Sequence, residues 1–137
     1  MGHLITYRGP IERPIVNPSD EFVRNIIFKK TEDYWKQGSG DSSFEIEGCD
    51  ESFILFYDEP YGFFIMRHPD YLVPLNKSIE IKTVEHFVGG EAMHVPSCSY
   101  LNRDLAYKVI KEFMATKTIP SFIEWTDLYE IDFDHGF

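Results

Sequence analysis

Two periodicities alternate along this chain, and each change of period marks a change of element. Phe44 and Ile46 alternate with Glu45 and Glu47, the two-residue period of a half-buried strand over 44–47. The apolar run 53–57 reads as a second strand, and Asp58-Glu59-Pro60-Tyr61-Gly62 as the turn into a third at 63–67. Residues 84–88 extend as far as the break at Gly89-Gly90. Met93 to Val95 predicts a short edge strand stopped by Pro96, and 122–125 the last strand. A first strand over 3–7 ends at Gly9-Pro10. Helical spacing appears twice. Phe22, Val23, Ile26 and Ile27 predict a helix over 18–30, with Asn17 as cap, Pro18 in the first position and Asp20 and Glu21 at the positive end of the dipole. Leu105, Ala106, Val109, Ile110 and Phe113 predict a second over 102–115, capped by Asn102. Consecutive strands with a helix near each end predict α+β: a single antiparallel sheet carrying 44–47, 53–57, 63–67, 84–88 and 122–125, with both main helices on one face.

Length sets one domain, 1–137, large enough to fold without disulfides or metal. With 43% apolar residues, among them 12 Phe, 8 Tyr and 2 Trp, the chain has ample core material and is not intrinsically disordered. Cys49 and Cys98 are far apart, which excludes a disulfide scaffold. Apolar stretches fall far below the roughly 20 residues of a membrane span. Met1-Gly2-His3-Leu4-Ile5-Thr6 fits the loose myristoylation pattern, but a short first strand accounts for it better, and no secretion signal is visible. A cytoplasmic monomer without cofactor is the expectation.

Charge changes the picture most. Thirteen basic and 23 acidic side chains leave −10, which disfavours nucleic acid and favours a basic partner. The acidity sits in two blocks, 41–75 and 121–137. The first supplies the candidate partner-binding residues: Asp41 before the strand, Glu45 and Glu47 on its polar face, and Asp50, Glu51, Asp58 and Glu59 in the flanking turns. Asp127, Glu130, Asp132 and Asp134 form a second candidate surface.

Enzymatic patterns are incomplete. His86, His94 and Cys98 lack the local signature of a cysteine hydrolase, and nothing matches HExxH, paired CxxC or an EF-hand. Glu45 and Glu47 share a strand face suited in principle to acid–base work, yet they read as its solvated side. No catalytic or metal-ligating residue is assigned. The competing class is a small-molecule or enzymatic module whose sheet encloses a pocket lined by Tyr57, Tyr61, His68 and His86. A general acidic interaction domain is a third.

The order Val84-Glu85-His86-Phe87-Val88-Gly89-Gly90-Glu91-Ala92-Met93-His94-Val95-Pro96, then a helix with Ala106 and Phe113, then Ile119-Pro120 and Trp125, resembles the first-numbered immunity protein family of bacterial polymorphic toxin systems. The likeness covers about 77–126. It departs over 67–81, where Pro69 and Pro74 make the segment longer and more irregular. Gly90, Pro96, Ala106, Phe113, Pro120 and Trp125 carry it, and each has a structural role, so they mark a fold and not a binding site. What the resemblance implies is neutralisation of a cognate secreted toxin's C-terminal domain, frequently a deaminase or nuclease. Such a domain has a basic cleft that an acidic protein can plug.

Overall fold

The computed structural model describes residues 4–134, so His3 and the Met1-Gly2 pattern lie outside the described residues. Strands β1 (Ile5–Arg8), β2 (Ile15–Val16), β3 (Ser42–Ile46), β4 (Ser52–Asp58), β5 (Gly62–His68), β6 (Leu72–Pro74), β9 (Tyr100–Leu101) and β10 (Trp125–Asp127) join in one sheet. Its order is β10-β6-β5-β4-β3-β1-β2, with β9 also paired to β5, and each pairing is antiparallel. The α+β class and the antiparallel sheet are therefore as expected. One member is not. Residues 84–88 belong to β7 (Thr83–Val88), which pairs only with β8 (Glu91–Pro96) as a separate two-stranded hairpin.

Alternation in β4 explains where that hairpin goes. Phe53, Leu55 and Tyr57 point to one face, where Phe53 meets Phe113 at 4.3 Å between centroids and Tyr57 lies under the Arg103 guanidinium at 4.4 Å. Ile54, Phe56 and Asp58 point to the other, where the His86 ring of β7 stacks on Phe56 at 3.9 Å. Helices cover one face and the hairpin the other. An apolar run is the expected signature of a strand covered on both sides.

Helix α2 (Arg103–Thr116) starts at Asn102, whose side chain accepts from the Leu105 amide at 2.9 Å. It ends on Lys117, a left-handed residue whose amide returns to the Phe113 carbonyl. Ala106, Val109, Ile110 and Phe113 are buried, as their spacing requires. Helix α1 is shorter than expected. Asp20–Arg24 is α-helical and Asn25–Lys29 continues as a π-turn. Its cap is Ser19, which accepts from the Phe22 amide at 3.1 Å. Asn17 instead sits at φ 49° and accepts from the Ile5 amide at 3.1 Å, tying the loop to β1.

A 3-10 turn, Glu32–Lys36, carries the fully buried Trp35, which donates to Ser42 Oγ at 3.1 Å. The expected strand at 122–125 shifts to Trp125–Asp127, because only there does the chain meet Pro74, Val73 and Leu72 of β6. Trp125 is half-buried: it stacks on Phe53 and donates to the Pro120 carbonyl at 2.8 Å. Among the family-like residues, Gly90 turns the hairpin at φ 84°. Phe113→Ala should cost about 3–5 kcal/mol in urea unfolding. Trp125→Ala should cost less, because part of its ring is already in water. Equal losses would contradict the burial difference.

Candidate functional site

The seven predicted acids separate into two groups at opposite ends of β4. Register decides this: Glu45 stands opposite Ser52 at the start of β4, whereas Ser42 faces Leu55 further along. Glu45, Glu47, Asp50 and Glu51 therefore gather around the β3–β4 turn, where they line a shallow groove of about 300 Å³ with Arg8 and His68. Asp41, Asp58 and Glu59 lie at the far end. There Asp58 and Glu59 border a second cleft of about 480 Å³ with Glu32, Lys36, Glu85, His86 and Phe87.

At the turn, most charges are engaged but remain in contact with water. Arg8 pairs with Glu45 at 3.0 Å, Thr6 donates to Glu47 at 2.6 Å, and Arg67 pairs with Glu51 at 3.0 Å. His68 Nε2 lies 3.5 Å from Asp50, which stays largely exposed. Glu47 is exposed as alternation predicts, opposite in sense to the buried Phe44 and Ile46. Of these four acids, Glu47 and Asp50 are exposed and Glu45 and Glu51 half-buried.

Asp58 does not. It ends β4 instead of lying in the turn, and only 7% of it is exposed. Its Oδ1 faces His86 Nδ1 at 2.8 Å, and its Oδ2 accepts from the Tyr100 hydroxyl at 2.7 Å. The second ring nitrogen, Nε2, donates to the Gly40 carbonyl at 2.6 Å. A carbonyl only accepts, so Nε2 carries a proton. A proton on Nδ1 as well avoids two lone pairs facing each other. Burial works against the charged ring. The Asp58 hydrogen bond, the Gly40 carbonyl and the Asp58 and Asp41 charges together outweigh it and raise the imidazole pKa above 6.5. Burial, together with the adjacent Asp58 charge, pushes the Tyr100 hydroxyl far up, so it stays a donor. Asp41 is half-buried, and burial raises its pKa. Neither Asp58 nor Asp41 is a free surface charge.

The alternative pocket is not assembled. His86 and His68 line different clefts, Tyr57 packs on Trp35 and Phe63, and Tyr61 packs on Tyr100. Cys98 is wholly buried, and burial pushes its thiol up. His94 pairs with Glu85 at 3.3 Å. Among the described residues, no group of three or more His, Cys, Asp and Glu could hold a metal ion.

The sequence pattern missed Tyr71 and Tyr129. They stand 40% and 57% exposed, with ring centroids 5.4 Å apart. Each is an isolated aromatic near a turn, so no periodicity announces it.

Removing one member of a buried ion pair strands the other, so Asp58→Ala should cost about 3–5 kcal/mol. Asp50→Asn should stay within about 0.5 kcal/mol. Because the folded state holds the His86 proton more tightly, its contribution is complete below the unfolded imidazole value and is lost as pH rises through the raised folded one. Urea midpoints across that range check this, with His86→Phe expected to lose the pH dependence. A wild-type midpoint that rises with pH there would contradict it. No family model, curated protein or solved structure matches this chain.

Proposed function

We propose that this protein binds and neutralises a basic toxin domain in the cytoplasm, as immunity proteins of bacterial polymorphic toxin systems do. The observation that carries the reading is the convergence of Glu45, Glu47, Asp50 and Glu51 on one solvent-facing groove at the β3–β4 turn. Such a surface raises the capture rate of a positively charged partner, and speed matters when the target is an enzyme that turns over. Backbone hydrogen bonds from the Ile46 amide to the Glu51 carbonyl at 3.0 Å and from the Glu47 amide to the Leu4 carbonyl at 2.8 Å tie this turn to the sheet. Ala106 and Phe113 occupy the buried side of α2, and Gly90 occupies the hairpin turn, the structural roles expected of them from the sequence.

The partner to test is the C-terminal domain of a large secreted protein encoded beside this chain. Co-expression should restore growth of cells making that domain, and the purified pair should form a stoichiometric complex. Lysine at both Glu47 and Asp50 should slow association and flatten its dependence on salt, with little loss of folding stability. Failure to bind that domain would overturn the proposal. An association rate unaffected by the two lysines at every salt concentration would remove the β3–β4 turn from the interface.

A further inference from the structure

The two acidic blocks of the sequence meet at one end of the sheet. Strand β10 pairs with β6 so that Asp127 faces Leu72, the residue after Tyr71. The Leu128 amide donates to the Tyr71 carbonyl at 2.9 Å, and Asp127 caps the following turn by accepting from the Tyr129 amide at 2.8 Å. Tyr71 and Tyr129 meet edge to face beside this junction. On the other side of Tyr71 stands the His68 imidazole, 6.4 Å from it between centroids and joined to Asp50. Arg67 spans Glu51 at 3.0 Å and Asp70 at 3.8 Å. A continuous strip thus runs from the β3–β4 turn to the C-terminal block, with two exposed aromatic rings at its middle and carboxylates on both sides.

We infer that the Tyr71–Tyr129 pair is the anchoring centre of a docking surface for a basic protein, whose arginine or lysine side chains lie across the rings and end on Asp50 and Asp70. Tyrosine supplies a large contact area with few rotatable bonds and a negative ring face that attracts cations. Interfaces concentrate their binding energy in such aromatics, while surrounding charges steer the approach. The same carboxylates repel phosphate backbones and anionic lipid, which leaves a cationic protein as the occupant. The local bases offset this charge only in part: Arg67 and His68 face three carboxylates between them, Glu51, Asp70 and Asp50. The inference rests on the proposed function for the partner's identity, and on the strip's own chemistry for the partner's charge.

The test titrates isotope-labelled full-length protein with an arginine homopeptide, using a glutamate homopeptide as control, and follows chemical shifts. Saturable shifts at Tyr71, Tyr129 and Asp70, with the arginine peptide only, are expected. Tyr71→Gly combined with Tyr129→Ala should weaken binding about tenfold or more. Glycine accepts the Tyr71 φ of 57°, so the turn is retained. Should that variant unfold, Asp70→Lys keeps both rings and should still weaken binding severalfold. Shifts centred on Glu32, Glu59 and Phe87, or undiminished binding by both variants, would overturn the inference. The two readings fail separately. Neutralisation retained by the tyrosine variant removes this surface and leaves the immunity function. Docking at the tyrosines without neutralisation leaves the surface and removes that function.

Discussion

A buried carboxylate shared between an imidazole and a phenol holds this protein's third layer in place. Asp58 projects from the face of the sheet opposite the helices, where it meets Tyr100 of β9 and, through His86, the β7–β8 hairpin. The ring also stacks flat on Phe56 and ties down the loop carbonyl of Gly40, so one side chain fastens hairpin, sheet and loop. Loop and hairpin pack closely: a Cβ on Gly40 would collide with the Phe87 carbonyl, and the Gly89 amide donates to Ser39 at 2.7 Å. Ion pairs of this kind add little over a well-packed apolar contact, yet losing one partner is costly. Their value lies in fixing which strand residue the hairpin sits over.

That constraint sorts the acids. Asp58 serves the fold, and Asp41 is drawn half under the hairpin beside it. The carboxylates at the opposite end of β4 have partners in or near solvent; Glu45 and Glu51 are half-buried, and Asp50 keeps most of its exposure. At the end of the sheet where the β3–β4 turn, the β5–β6 turn and the start of the C-terminal segment come together, the acids Glu45, Glu47, Asp50, Glu51, Asp70 and Asp127 outnumber Arg8, Arg67 and His68. The proposed partner contact follows from that local excess.

Periodicity revealed the helices and the central strands because their apolar spacing repeats over several residues. α2 and its Asn102 cap are legible for this reason. Short elements are not. β6 and β9 have three and two residues, and the five-residue turn bearing Trp35 contains too little pattern to recognise. Ser19 displaced Asn17 as cap because Asn17 was already committed to the Ile5 amide. The hairpin looked like part of the sheet, since alternation shows that one face is buried but not against what. Asp58 looked exposed because its partners lie 28 and 42 residues later in the chain. The acids of the β3–β4 turn were legible from composition alone. The aromatic centre beside them was not, because it forms only when β10 pairs with β6.

Amide hydrogen exchange of the protein with and without the basic toxin domain tests the division of charge most directly. Protection should appear in 47–52, 69–73 and 127–131, while 58–62 and 84–88 exchange as in the free protein. Protection confined to 58–62 and 84–88 would place the partner over the Asp58–His86 end and contradict the assignment.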